Sequence, residues 1–222
     1  MPDPTSKTRL TVVASDDHPV VLSGIRLALR GSGNFMLLAE AADGPATLAA
    51  IREKLPDLLI LDLWMGDADG IELLRQVHHE WPWIRVLVYS TSDERCYGVR
   101  SLRAGAAGYL MKSNGLDELL NAFRIIAAGE HYFSPVIAAE LIGKSLHPTP
   151  SLPSGLDTLS NREIQILRLI GMGRTTAFIS KDLIISAKTV GAHRENLKNK
   201  LNAGNSASLV RKAIQLVENR FL

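Results

Sequence analysis

Short apolar runs alternate with amphipathic stretches from Leu10 onward. The runs are Leu10–Ala14, Met36–Ala39, Leu58–Leu61, Val86–Tyr89 and Ala107–Leu110. Runs this short and this continuously apolar predict strands buried on both faces. Between them, helical spacing of apolar positions predicts helices over Val20–Leu29, Gly44–Lys54, Gly70–Glu80, Glu94–Ala104 and Leu116–Ala128. Five strand–helix units imply a parallel sheet, because parallel neighbours need a crossover and the crossover packs as a helix. The expected architecture is a doubly wound α/β domain whose functional edge lies at the carboxyl ends of its strands.

Past Ala128 the pattern changes. A short helix is predicted over Val136–Gly143, followed by Leu146-His-Pro-Thr-Pro-Ser-Leu-Pro-Ser-Gly155, which reads as a linker because prolines crowd it. Four helical stretches follow without any strand pattern: Asn161–Ile170, Thr175–Leu183, Ala187–Leu201 and Ala207–Asn219. Ser160 with Glu163 forms a predicted capping box, and Ser186 and Ser206 stand at similar helix starts. The expected division is a first domain over 8–128, a linker with a short helix over 129–155, and a small all-α domain over 156–222.

Composition adds two exclusions and one contrast. The longest stretch without Asp, Glu, Lys or Arg, Ser145–Leu156, is rich in Pro and Ser, so no segment suits a membrane span. The first residues lack an apolar leader core, and one cysteine cannot form an intrachain disulfide; both favour the cytoplasm. The net charge of +2 hides an asymmetry. From Asp157 to Leu222 there are 11 Lys and Arg against 5 Asp and Glu, whereas the preceding residues carry 14 against 18. A basic back half suggests a polyanionic partner, and an acidic front half suggests cation or carboxylate chemistry.

That chemistry has candidates. Asp16 and Asp17 follow the first predicted strand and Asp62 ends the third, so the topology should bring three carboxylates to one edge. Their repulsion is relieved most simply by a hard divalent cation such as Mg²⁺. Strand four ends in Tyr89-Ser90-Thr91 and strand five in Tyr109-Leu-Met-Lys112. A carboxylate nucleophile, a metal, a hydroxyl and an ammonium are the parts needed to accept and hold a phosphoryl group. Asp67 and Asp69 are expected as solvated turn residues. His18, His78, His79 and His131 are expected as ordinary surface or core histidines, and Cys96 as an inert packed thiol.

In this set and order, the front half resembles the flavodoxin-like receiver domains of two-component response regulators. The resemblance implies that Asp62 is the phosphoacceptor and that Asp16, Asp17 and the Trp64 main-chain carbonyl help it hold Mg²⁺. It further implies that Lys112 pairs with the phosphate, Ser90 closes onto it, Tyr109 is the rotating switch aromatic, and a sensor histidine kinase is the phosphodonor. Two departures stand out. Gly66 replaces the proline usual after Met65, which should loosen that loop, and Trp64 is bulky enough to shield the phosphoryl group from water and slow its loss.

The back half resembles the LuxR-type helix-turn-helix of the NarL/FixJ regulators. The resemblance is carried by Leu159-Ser-Asn-Arg-Glu163, Leu167, Gly173, Ile179, Leu183, Ile185-Ser186, Lys188-Thr189-Val190, His193, Leu197 and Lys200-Leu201. At 100° per residue, Val190, Leu197 and Leu201 form the core side of the second helix. Lys188, Ala192, Glu195 and Asn199 then face outward, flanked by Gly191, Asn196 and Lys198. Lys188 and Lys198 are expected on DNA phosphates and Glu195 and Asn199 at base edges, with Thr189, Gly191 and Ala192 on the same surface. Lys181, Arg194 and Lys200 are further backbone candidates, although Arg194 is placed to pair with Glu163 instead. Many relatives carry Lys where Gly191 and Glu195 stand, so a different operator is expected. The last helix has more apolar positions than its own domain needs, and the resemblance implies a homodimer on promoter DNA.

The function expected from these readings is a phosphorylation-controlled DNA-binding transcriptional regulator rather than an enzyme. Two alternatives are a phosphorylation-independent regulator with a vestigial receiver and an aspartyl-phosphate phosphatase. Intact Asp17, Asp62 and Lys112 argue against the first. The second lacks a general acid, because Trp64 occupies the place two residues past the nucleophile.

Overall fold

A computed structural model describes residues 9–65, 68–139 and 155–218. Gly66, Asp67, the end of the helix expected over Val136–Gly143, and most of the expected linker lie outside the described residues. The chain divides into two compact units, Met1–Ala138 and Ala139–Leu222.

The first unit is built on β1 (Leu10–Ser15), β2 (Phe35–Ala41), β3 (Leu58–Leu61), β6 (Arg85–Ser90) and β7 (Gly108–Met111). They form one parallel sheet in the order β2-β1-β3-β6-β7. Chain order reverses between β1 and β3, because β2 lies to one side of β1 and all later strands to the other. That makes the carboxyl ends of β1 and β3 the place where a crevice opens. β3 is the most enclosed strand: Leu58, Leu59, Ile60 and Leu61 are at most 1% exposed, so helices cover both faces. Helices α1 (Pro19–Ser32) and α5 (Gly115–Ala127) cover one face. Leu22, Ile25, Leu29, Leu119, Phe123 and Ile126 pack there against Val12, Ala14, Ile60 and Leu87. Helices α2 (Gly44–Lys54), α3 (Gly70–Glu80) and α4 (Glu94–Arg103) touch one another in series along the sheet.

Local chemistry fixes the helix starts. Asp43, Asp69 and Asp93 each accept backbone N–H groups at the N-termini of α2, α3 and α4. Asp69 therefore caps a helix rather than standing as a free turn residue. A two-residue hairpin, β4 (Trp64–Met65) with β5 (Ala68–Asp69), separates β3 from α3. The periodicity did not disclose it, because two residues are too few to show alternation.

Residues 129–138, assigned above to the connector, are built onto the first unit. Tyr132 bridges to Gly108, receiving the Tyr109 N–H on its carbonyl at 3.0 Å and donating to the Ala107 carbonyl at 3.0 Å. Arg85 donates to the carbonyls of Gly129 and Glu130. Helix α6, over 135–139 among the described residues, buries Ile137 completely. A Cβ on Gly98 would stand 2.4 Å from the Ile137 Cδ1, so the absence of a side chain on α4 makes room for this segment.

The second unit consists of α7 (Asn161–Gly171), α8 (Thr176–Asp182), α9 (Ala187–Lys200) and α10 (Ser206–Glu218). The capping box forms as expected: Ser160 Oγ accepts from Glu163 N, and Glu163 accepts from Ser160 N at 2.7 Å. Ser186 caps α9. The cap of α10 is Asn205, whose Oδ1 accepts from Ser208 N at 2.8 Å, so Ser206 is the first helical residue.

One residue in this unit is strained. Ile184, in the turn between α8 and α9, holds φ at 53° although it is β-branched, and its side chain is 72% exposed. Left-handed backbone costs a residue with a Cβ roughly 1–2 kcal/mol, and here no burial offsets it. Ile184→Asn should stabilise the second unit by about 1 kcal/mol, since Asn tolerates this conformation, raising its melting temperature by about 5 °C. Calorimetry of the full chain would show it, and an unchanged upper limit for both unfolding transitions would contradict it.

Candidate functional site

The register of the sheet assembles the site. Ser15 on β1 is opposite Leu61 on β3, so the next residues, Asp16 and Asp62, emerge side by side at the crevice. The Asp62 N–H is tied to the Ser15 carbonyl at 2.9 Å, and the Asp16 N–H to the Ala41 carbonyl at 2.9 Å. Lys112 follows β7 at the start of a single 3-10 turn, Lys112–Asn114. Its ammonium lies 2.6 Å from Asp16 Oδ2 and 2.7 Å from Asp62 Oδ2. All three groups are largely removed from water: the side chains of Asp16, Asp62 and Lys112 are 1%, 2% and 10% exposed.

Electrostatics follow from that burial. Desolvation pushes the Asp62 carboxyl above its ordinary value; the Lys112 ammonium pulls it down and the neighbouring Asp16 charge pushes it up. Desolvation lowers Lys112, but the two carboxylates outweigh it and hold the ammonium above its ordinary value. The cation is thus firmly charged. Asp62 Oδ2 accepts from Lys112, the Ser90 hydroxyl also favours the carboxylate, and Oδ1 is buried without a well-aligned hydrogen bond.

Asp17 is on the rim, with its side chain 36% exposed. His18 differs from the expectation of an ordinary histidine. Its Nδ1 lies 2.6 Å from Asp17 Oδ1 and 3.2 Å from Asp16 Oδ1, and its N–H donates to Asp16 Oδ1 at 2.9 Å. Ligand atoms from Asp16, Asp17, His18 and Asp62 all fall within 4.8 Å of one another. Crowded acid oxygens, two of them (Asp16 Oδ2 and Asp62 Oδ1) buried without a well-aligned hydrogen bond, fit a hard divalent cation in place of missing positive charge.

Ser90 ends β6, and Tyr109 is the second residue of β7. Ser90 is fully buried at the end of β6. Tyr109 on β7 is 1% exposed and donates its hydroxyl to the Ser92 carbonyl at 2.9 Å; burial raises its phenol well above the ordinary value. Trp64 stands on β4. Its indole N–H donates to Ser92 Oγ at 2.5 Å, and its ring meets Tyr97 of α4 edge-on at 5.5 Å. Ser92 therefore joins the loop after Asp62 to Tyr109, and its N–H lies 3.4 Å from Ser90 Oγ. Sequence reasoning missed Ser92, because serine in a polar loop carries no signal of its own. Cys96 is buried on α4.

In the second unit α8, the turn and α9 form a helix-turn-helix. Val190, Leu197 and Leu201 are buried, and Lys188, Thr189, Ala192, Glu195 and Asn199 are exposed, with Gly191 and Lys198 half-buried. Two polar partnerships differ from the expected ones. Glu163 pairs with Lys200 at 2.8 Å rather than with Arg194, and Lys198 reaches Glu195 at 2.8 Å. Lys200 and Lys198 are thus both ion-paired within the second unit. Burial opposes ionisation of Glu163, but Lys200 and the Ser160 N–H outweigh it and hold the carboxyl below its ordinary value.

Comparison with known proteins gives a consistent picture. A family model described as "Response regulator receiver domain" matches residues 12–124, and one described as "Bacterial regulatory proteins, luxR family" matches residues 157–213. The response regulator GacA of Pseudomonas protegens is 34% identical over 206 residues, covering 93% of this chain and 96% of that protein. The transcriptional regulatory protein MctR of Rhizobium johnstonii is 33% identical, covering 95% of each. Among solved structures, the RcsB response regulator of Salmonella typhimurium superposes with a TM-score of 0.66 at 23% identity, covering 95% of this chain and 99% of that one. A complex of RcsB with DNA has a TM-score of 0.57 at 24% identity and covers 91% of this chain and 96% of that one.

Proposed function

This chain belongs to the response regulators that join a receiver domain to a LuxR-family DNA-binding domain, and from that premise we propose how its own residues carry the work. It is a phosphorylation-controlled DNA-binding transcription regulator, not a classical enzyme. Asp62 is the phosphoacceptor. Its Oδ1 lone pair attacks the phosphorus of a phosphohistidine on a partner sensor kinase; the P–N bond breaks as the P–O bond forms, and the imidazole leaves. The single observation behind this assignment is the buried Oδ1, without a well-aligned hydrogen bond, beside a cation held on Oδ2.

Asp16, Asp17 and Asp62, with the Trp64 main-chain carbonyl, would hold Mg²⁺, which when bound supplies positive charge against the phosphoryl oxygens. Lys112 is poised to pair with the phosphoryl group, being already charged and 2.7 Å from the acceptor. Ser90 closes onto the new group, and Tyr109 reports the change through the Ser92 carbonyl, which it already grips. Trp64, fixed by Ser92 and Tyr97, slows hydrolysis by covering the acceptor loop.

The phosphoryl-accepting role is carried by the unit that contains residues 8–128 and, packed onto it, residues 129–138, and DNA binding by 156–222. Helix α9 enters the major groove of promoter DNA. Lys188, Thr189, Gly191, Ala192, Glu195, Lys198 and Asn199 form its contact surface, and two copies bind together. No described helix is long and apolar enough to cross a membrane, and the setting is the cytoplasm, where promoters are.

Binding to duplexes selected from a random pool, measured at several salt concentrations with and without phosphorylation, tests this reading. Phosphorylation should tighten binding by about tenfold or more, within the range of ordinary coupling energies. Lys188→Ala should weaken binding to every duplex and reduce the salt slope by about one. An unchanged slope would remove Lys188 from the phosphate contacts and displace α9 as the reading helix.

A further inference from the structure

The two edges of the sheet are finished differently. Beside β7 the chain closes the edge itself, with Tyr132 bridged to Gly108. At the opposite end β2 pairs with β1 alone among the described residues. An edge strand presents unpaired N–H and C=O groups, a template that accepts another strand unless it is covered. A cleft of about 430 Å³ runs along this one, walled by Arg26, Leu29 and Arg30 of α1 and by Arg9. Every residue from Phe35 to Glu40 lines it. Side chains on a strand alternate between faces, so an unbroken run of lining residues means that the cleft follows the main chain of β2 rather than one face of the sheet.

Its charge is one-sided. Arg26 binds Glu40 through two bonds of 2.7 and 2.6 Å, which neutralises the far end. Arg9 and Arg30 are exposed and have no acidic partner among the described residues. Arg30 suits the last turn of α1, but the helix dipole does not occupy the donors of its guanidinium. Both arginines stand at the Phe35 end. Arg9 precedes Leu10, which is opposite Phe35, and Arg30 is in the turn of α1 that leads into β2. Between the charged ends the surface is apolar, formed by Leu29, Phe35 and Leu37.

We propose that the cleft along β2 is a docking site for an extended acidic segment of a partner protein, which adds a strand to the sheet and sets a carboxylate on Arg9 and Arg30. Main-chain bonds to an open edge supply affinity, and side chains at alternate positions supply specificity. Guanidinium groups hold carboxylates through paired, charge-assisted bonds. A second copy of this chain fits less well. It would bring two more uncompensated arginines, and the bulge at Leu38, where the register with β1 shifts, breaks the flat edge that self-pairing needs. The Phe35 end is the amino end of the parallel sheet, whereas Asp62 follows the carboxyl end of β3, so the partner docks without covering the phosphoryl site.

Fluorescence anisotropy of the full chain with a labelled hexapeptide of alternating glutamate and valine tests it. Two control peptides carry lysine for glutamate, or methyl groups on alternate main-chain nitrogens. The acidic peptide should bind, and both controls should bind at least about tenfold more weakly, the scale of losing a charge-assisted hydrogen bond. Arg9→Glu/Arg30→Glu should lose affinity by at least as much, while still accepting a phosphoryl group at Asp62, which shows that its unit is folded. Amides of β2 should exchange more slowly in the complex. Absence of binding to the acidic peptide overturns the inference, and so does equal binding of the N-methylated one, a comparison that needs no variant. Protection of the β2 amides that rises with chain concentration in the absence of peptide would assign the cleft to a second copy and overturn it as well.

Discussion

Asp62→Asn will take up no phosphoryl group from a small-molecule donor, whereas the wild-type chain will gain one per molecule in the presence of Mg²⁺. The three acids at the crevice are not equivalent. Asp16 has both oxygens engaged, one by Lys112 and the other by the His18 N–H. Asp17 is on the rim and tied to the His18 ring. Asp62 alone combines a buried oxygen that has no well-aligned hydrogen bond with a cation on its partner oxygen, the combination that lets a carboxylate attack and then tolerate added negative charge. The loss should therefore be complete rather than graded. Intact mass measures it, and an adduct surviving in Asp62→Asn, mapped by digestion to Asp17, would reassign the acceptor.

The same substitution has a second readout with a definite sign. Burial holds the Asp62 carboxyl above its ordinary value, so the folded unit binds its proton more tightly than the unfolded chain does. Its charge therefore weakens the fold at neutral pH, and the weakening fades as pH falls into the ordinary carboxylate range. Without Mg²⁺, Asp62→Asn should raise the melting temperature of the first unit at neutral pH and lose that advantage in acid.

The sheet and its ligand edge were legible in the sequence because β3 and its neighbours are buried on both faces. Leu58-Leu-Ile-Leu can be little else than a central strand, and the acid that follows it must emerge at the crevice. Recessive features were hidden by their own chemistry. Tyr132 lies beside β7 through main-chain bonds that any residue could make, so nothing in Gly-Glu-His-Tyr marked it. Lys200 rather than Arg194 reaches Glu163 because α9 packs across α7, a tertiary placement that helical periodicity alone does not set. The approach of His18 to Asp16, Asp17 and Asp62 is invisible in the sequence, because two of those acids precede its helix and the third follows β3. Chemistry carried by backbone or by crossing elements needs the fold before it can be seen.

Gly171→Ala should abolish duplex binding by the second unit, as Asp62→Asn abolishes phosphoryl uptake by the first, but here by destabilising the fold. Gly171 is the last residue of α7, where α10 crosses it. A Cβ there would stand 2.5 Å from the Ala213 carbonyl oxygen, 2.8 Å from its carbon and 2.6 Å from Val217 Cγ2. Val217 can rotate away, but the Ala213 carbonyl cannot move without shifting α10, and α10 brings Leu209, Ala213 and Leu216 into the core. Overpacking of this kind costs about 1–3 kcal/mol and occasionally more. The opposing gain in helix propensity is at most about 1 kcal/mol and smaller at a helix end, so the clash wins. A unit as small as Ala139–Leu222 is expected to have a total stability of several kcal/mol, on the order of 0.1 kcal/mol per residue. The variant should therefore melt about 10 °C or more below wild type and lose duplex binding, while still accepting a phosphoryl group at Asp62. Gly191→Ala is the matched control: a Cβ at that position on α9 meets nothing within 4 Å, so its fold should gain stability. If Gly171→Ala melted with the wild type, α10 would have to yield at Ala213, and the close crossing of α7 and α10 would not be what holds the DNA-binding unit together.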